Sequence, residues 1–217
     1  DGRENFITAI EIAAATEDET PVVPEVAIYF ENQLMRGNRT IKYNAEHFEA
    51  FRSPNYPELA NAGVYIKYRK NYIRKPNFKK LKYRPDLDNN VAILKLYPGI
   101  SPEYVSAVLG IKNLKALVLE TYGSGNAPTD KWFIDALKLA VDNGLVIVNV
   151  TQCQGGAEEM EKYQTGMALK EIGVLGGNDM TTEAAITKLM HLLGNYKSAH
   201  EVIHKLTLDI RGELTSK

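Results

Sequence analysis

The chain has 217 residues, 44% of them hydrophobic and 24% charged, and a formal net charge of −1. That is globular composition, long enough for one large or two small domains, and near-neutrality excludes a global field selecting nucleic acid or a membrane. A single cysteine, Cys153, excludes an internal disulfide framework and fits a reducing compartment, and no apolar run approaches the roughly 20 residues that span a bilayer.

The chain opens on "DGRENFITAIEIAAA", a helix pattern in which Asp1 and Glu4 have capping-box spacing and Phe6, Ile7, Ile10 and Ala13 or Ala14 share one face. Such a face needs a sheet. Only "EVAIYFEN" (25–32) and "GVYIKYR" (63–69) read as strands in the first eighty residues. The expectation is therefore that residues 1–80 are the end of a larger amino-terminal α/β domain, with an independent small α+β unit as the alternative.

From Lys67 to Arg84 runs "KYRKNYIRKPNFKKLKYR", with nine basic residues, no acidic one and four interleaved aromatics. That is either a surface for single-stranded nucleic acid or a solvated connector whose long stems and rings lie over neighbouring surface. The near-neutral whole favours the connector.

After residue 90 the pattern is regular. "VAILKLY" (91–97) is a strand; Ser101 and Pro102 occupy N-cap and N1 of a short helix that Gly110 ends. "LKALVLE" (114–120) is a second strand. Residues 130–142 form a helix with Trp132, Phe133, Ala136, Leu137 and Ala140 on one side, stopped by Asn143-Gly144. "LVIVNVT" (145–151) is a third strand, apolar almost throughout. A helix follows the loop 152–164, then the short buried "VLGGNDM" (174–180), then a helix capped by Asp179 or Thr181 that ends at Leu193 with Gly194 beyond it. This rhythm predicts a parallel sheet covered on both faces, a three-layer α/β domain of flavodoxin or Rossmann type. The domain boundaries read as 1–80, a linker at 81–90, and 91–217.

In such a sheet ligands sit beyond the carboxyl ends of the strands, where "TYGSGNAPTD" (121–130) and "TQCQGGAEEMEKYQ" (151–164) lie. A dinucleotide fingerprint fails, because the third glycine position is Pro128, and no Walker A ending is present. His47, His191, His200 and His204 are scattered, and the i,i+4 pair His200 and His204 reads as a solvated helix face lacking a third metal ligand. Cys153 reads as a small apolar filler and "EEMEK" (158–162) as wetted carboxylates. No nucleophile–base–orienter relay emerges from the residues.

The blocks "DGRENFITAIEIAA", "FENQLMRGNRTIKYNAEHFEAFRSPNYPELANAG", "LYPGIS", "TYGSGNAP", "NVTQC", "YQTGMAL", "GNDMTTEAAITKLMHLLG" and "IRGEL" occur in order along nearly the whole chain. They resemble successive blocks of bacterial type I (cytoplasmic) L-asparaginases. The resemblance implies a cytoplasmic homo-oligomer, an intimate dimer or a tetramer, that hydrolyses L-asparagine to aspartate and ammonia through a threonine acyl-enzyme. It implies no cofactor, metal, nucleic acid or membrane. The family's catalytic threonine motifs are absent here, so the expectation is that the reactive groups lie upstream of Asp1 and that this chain alone is inactive. The asparagine of the family's Gly-x-Gly-Asn loop reaches across the dimer interface to the neighbouring substrate pocket; its match is Asn126, whose alternative role is an Asx-type turn within its own loop. A second, effector site in some relatives uses an arginine on the second strand and a Thr-x-Cys after the third. Thr151 and Cys153 match, but Glu120 stands at the arginine position, which implies no effector response. An ammonia-releasing subunit of a tRNA-dependent amidotransferase and a non-catalytic amino-acid-binding or assembly module are the alternatives.

Overall fold

The computed structural model describes residues 2–46, 50–160 and 164–216. Asp1 and His47, singled out above, lie outside the described residues, as do residues 161–163 of the loop after the third strand. Two compact units divide between Tyr83 and Arg84.

In the first unit, helix α1 (Gly2–Ala14) precedes strands β1 (Thr16–Glu17), β2 (Thr20–Pro21), β3 (Ala27–Phe30), β4 (Gln33–Arg36), β5 (Ile41–Lys42), β6 (Phe51–Arg52), β7 (Ala60–Ala62) and β8 (Ile66–Tyr68). Strands β3, β4, β7 and β8 form an antiparallel sheet in that order. The expected strand 25–32 ends early, because Glu31 and Asn32 take φ of 46° and 66° and turn a two-residue hairpin, with Phe30 opposite Gln33.

The expected apolar face of α1 is not the packed one. Phe6, Ile7 and Ile10 are 68, 52 and 54% exposed, while Ile12 is buried and Asn5, Thr8 and Ala9 are half-buried. Residues 5, 8, 9 and 12 also share a helical face, and from it Ile12 enters the core of Leu34, Leu59 and Ala60. In the basic stretch the rings divide: Tyr68 packs against the core of the first unit and Tyr72 meets Tyr56 edge-on, whereas Phe78 and Tyr83, with Leu81 between them, are 83, 83 and 89% exposed. The stretch has no helix or strand after Tyr68 to press them onto anything.

The second unit runs β9 (Val91–Lys95), α2 (Pro102–Leu109), β10 (Ala116–Thr121), α3 (Lys131–Asp142), β11 (Val146–Thr151), α4 (Gln164–Glu171), β12 (Leu175–Gly176), α5 (Thr182–Asn195) and α6 (Ala199–Leu206). The sheet order is β12-β11-β10-β9 and every pairing is parallel. Ser101 caps α2 by accepting the amide hydrogen of Tyr104, with Pro102 at N1. Strand alternation sends Leu117, Leu119 and Ile147 toward Val105, Phe133, Leu137 and Leu169 of α2, α3 and α4. Ala116, Val118, Val146, Val148 and Val150 face α5 and α6 through Ala185, Leu189, Leu192, Val202 and Leu206. The three-layer α/β fold follows.

Residues 84–90 are docked on this unit. Asn195 donates to the Asp86 carbonyl at 2.8 Å, the Asp88 amide donates to the Met190 carbonyl at 3.0 Å, and Lys115 reaches the Asp88 carboxylate at 2.6 Å. That docking explains Gly194, which lies inside α5 rather than beyond it: a Cβ there would come within 2.5 Å of the Asp86 carbonyl oxygen. Thr181, not Asp179, caps α5, and Asp179 binds the amide and hydroxyl of Thr215 instead.

Candidate functional site

The carboxyl ends of β10 and β11 carry the two loops that the strand order singles out. In the first, the Tyr122 amide donates to the Asn126 carbonyl at 2.9 Å and the Asn126 amide returns to the Tyr122 carbonyl at 2.8 Å. Gly123 at φ 50° and Gly125 at φ 113° supply the left-handed backbone that closes so short a bridge. It is thus the main chain of Asn126, a half-buried residue, that ties the loop to Tyr122.

The second loop braces the first. The Thr151 hydroxyl donates to the Gly123 carbonyl, the Glu159 amide donates to the Ser124 carbonyl at 2.9 Å, and the Gln152 amide donates to the Thr121 carbonyl at 2.9 Å. The side-chain amide of Gln152 also donates to the carbonyls of Leu96 and Glu120, at 2.6 and 2.8 Å, joining the ends of β9 and β10.

Beneath the loops lies a buried polar layer. Thr121 and Asn149 are both 0% exposed, and the Thr121 hydroxyl donates to Asn149 Oδ1 at 2.8 Å. Asn149 Nδ2 is buried with no hydrogen-bond partner, and a Cβ on Gly125 would stand 3.5 Å from it. Glu158, expected to be wetted, is 3% exposed: its carboxylate accepts the amides of Met160 at 2.7 Å and Asn178 at 3.3 Å. The segment returns against the turn after β12, and a Cβ on Gly176 would come within 2.8 Å of the carboxylate. These residues were missed in the sequence, although the asparagine inside "VIVNVT" was a signal: a polar side chain in an all-buried strand must find a partner.

Glu120 accepts the Thr182 hydroxyl at 2.5 Å and lies 3.6 Å from Lys95. Thr151 Oγ1 accepts the Cys153 amide at 3.0 Å. Cys153 itself is exposed, so the filler reading is corrected: the chain turns outward after Thr151 and carries the thiol with it. The strands thus bring Asn126, Thr151 and Cys153 onto the two loops at one sheet edge, with Glu120 at the end of β10. His200 and His204 are exposed on α6, far along the chain from that edge, and burial, with Arg211 and Arg84, pushes the His191 imidazole down. No group of three His, Cys, Asp or Glu side chains converges among the described residues, and no helix among them is long and apolar enough to cross a membrane.

A cleft of about 640 Å³ opens at the opposite, amino edge of the sheet, lined by Leu109, Leu114, Leu145, Leu193, Tyr196 and Val202. Lys115, Asn143 and Lys197 also line it, so its walls mix aliphatic and polar groups. The loop edge is the candidate site, because ligands of a parallel sheet gather beyond the carboxyl ends of its strands.

Residues 90–206 match the family model of the glutaminase/asparaginase C-terminal domain, and residues 1–74 match that of the asparaginase N-terminal domain. The chain belongs to the glutaminase/asparaginase family. It is 41% identical to L-asparaginase 1 of Escherichia coli (strain K12) over 216 residues, which are 99% of this chain and 62% of that protein. Against the 60 kDa lysophospholipase of Homo sapiens it is 43% identical over 217 residues, 99% of this chain and 37% of that protein. The crystal structure of L-asparaginase I from Vibrio cholerae superposes with a TM-score of 0.91 at 39% identity, covering 100% of this chain and 64% of that one. The chain therefore spans about three-fifths of the E. coli asparaginase or less of the other curated relative, and the family match covers both of its units.

Proposed function

We propose that this chain serves an L-asparaginase, which hydrolyses the side-chain amide of L-asparagine to release L-aspartate and ammonia through an acyl-enzyme on a threonine hydroxyl. The observation that carries the reading is the family match across both units, joined to the 41% identity with E. coli L-asparaginase 1. The tRNA-dependent amidotransferase alternative rests on more distant relatives.

In this reading the enzyme is a cytoplasmic homo-oligomer, and loop 121–130 forms a wall of the substrate chamber of a second copy. Asn126 offers it two N–H donors and one carbonyl acceptor, suited to a zwitterionic amino acid. The main-chain bridge to Tyr122 and the brace from Thr151 fix where that amide sits before substrate arrives. The effector site is inoperative here. A carboxylate at Glu120, held by Thr182, repels the α-carboxylate that a guanidinium would bind, and the Thr151 hydroxyl already serves Gly123 and Cys153.

The test is coupled measurement of ammonia from L-asparagine, on this chain supplied with the region of E. coli L-asparaginase 1 outside the match. The expected result is hyperbolic saturation, with Asn126→Ala lowering kcat/KM by about ten- to hundredfold, the loss of one or two hydrogen bonds to a charged ligand. Absence of ammonia release from a folded assembly defeats the reading. A sigmoidal curve defeats the effector statement alone.

A further inference from the structure

We propose that the segment Lys75–Tyr83 is a peripheral membrane contact that seats on an anionic lipid bilayer. The segment, "KPNFKKLKY", holds four lysines and no acidic residue. Every residue in it except Pro76 is exposed. No described carboxylate pairs with Lys75, Lys79, Lys80 or Lys82.

Three large apolar side chains stand among these charges: Phe78, Leu81 and Tyr83, each more than 80% exposed. The Asn77 side chain accepts the Lys79 amide at 3.0 Å, a local turn with Phe78 at its middle residue. The rest has neither helix nor strand, and it lies beyond β8, which ends at Tyr68. A single exposed apolar residue needs no account, but three within six positions, interleaved with lysines, form an amphipathic surface.

A bilayer interface satisfies both halves of that surface. The phenyl, isobutyl and phenol groups enter the boundary between headgroups and acyl chains, while the ammonium groups stay on their long stems among the lipid phosphates. Single-stranded nucleic acid satisfies only one half. Leucine has no π-face on which a base can stack, and these cations are lysines, which lack the flat guanidinium that stacks on bases and forks onto phosphates. The net charge of −1 gives the whole chain no long-range attraction to a membrane, so the contact is local, within a Debye length of about 8–10 Å.

The test is co-sedimentation of the whole chain with phosphatidylcholine vesicles made with and without phosphatidylserine, at low and at high salt. Binding is expected to the phosphatidylserine vesicles only, and to weaken as salt rises. Each lysine near an anionic surface strengthens the hold by about fivefold, so replacing Lys75, Lys79, Lys80 and Lys82 by glutamine is expected to weaken it by several hundredfold. The pair Phe78→Ser and Leu81→Ser is expected to weaken it while leaving the salt dependence in place. Equal binding to neutral vesicles, undiminished binding by the lysine variant, or displacement from vesicles by a thymidine oligonucleotide overturns the proposal. The asparaginase assay does not enter this test, so the two readings stand or fall separately.

Discussion

Replacing Lys188 by methionine removes one partner of an ion pair buried on both sides. Lys188 Nζ lies 2.6 Å from Glu213 Oε1, and the two side chains are 5 and 6% exposed. With an effective dielectric constant near 20, the gross attraction is 332/(20 × 2.6), about 6 kcal/mol, and a desolvation cost of similar size offsets it. The net value of the pair is therefore small. The cost of breaking it is not, because one charge stays behind. Glu213 keeps the amides of Ile210 at 3.0 Å and Arg211 at 2.6 Å, while the Leu208 carbonyl loses its donor at 2.5 Å. Those surviving amides place the loss at about 3 kcal/mol, the lower end of the range for orphaned buried charges. Urea unfolding followed by the fluorescence of Trp132, the only tryptophan and a residue of α3 in the same unit, reads it directly. The double replacement Lys188→Met with Glu213→Leu leaves no orphaned charge, but it takes the acceptor from the Ile210 and Arg211 amides, so it is expected to recover only part of the loss. A loss below about 1 kcal/mol for the single change, or a double variant no better than the single, refutes the reasoning.

The same carboxylate predicts the acid limit of the second unit. Burial pushes the Glu213 carboxyl up, but the hydrogen bonds from Lys188 and from the amides of Ile210 and Arg211 outweigh it and hold the group below its ordinary value of 4.5. The unfolded chain therefore takes up the proton first as pH falls. The stabilisation is present above about pH 4.5 and is lost as pH drops through the folded value, so Glu213→Gln flattens the urea midpoint below pH 4.5 relative to the parent. Gly194→Ala forces a methyl group to within 2.5 Å of the Asp86 carbonyl oxygen and is expected to lower stability by about 1–3 kcal/mol, measured by calorimetry. An unchanged melting temperature there means that residues 84–90 are not held as described.

The second unit was legible in the sequence because its signals are local. β-branched runs with Ser101-Pro102 and Asn143-Gly144 as punctuation are decided within one turn of chain, and the structure places strands and helices where they predict. The first unit was legible only in part: α1, β3 and β8 fall within the expected helix and strands, but the strands between them did not show. Strands β4 and β7 are short, Leu34 and Met35 are the only apolar side chains of "QLMR", and nothing in "ANA" favours a strand. They exist because neighbours pair with them on both sides. Likewise the packed face of α1 is Asn5, Thr8, Ala9 and Ile12, while its apolar periodicity points to the exposed face of Phe6, Ile7 and Ile10.

The candidate site divides the same way. The chemistry that the two loops can offer, from the glycines at 123 and 125 to the amide of Asn126 and the thiol of Cys153, was fixed by residue identity and strand order. Burial was decided only by the tertiary fold. Glu158 sits in a loop rich in carboxylates yet is enclosed, because Gly176 leaves room for its carboxylate beside the amides of Met160 and Asn178. Cys153 follows an all-buried strand yet is exposed. Sequence states which groups a segment carries and how it repeats; which of them lose water depends on surfaces contributed by residues distant along the chain.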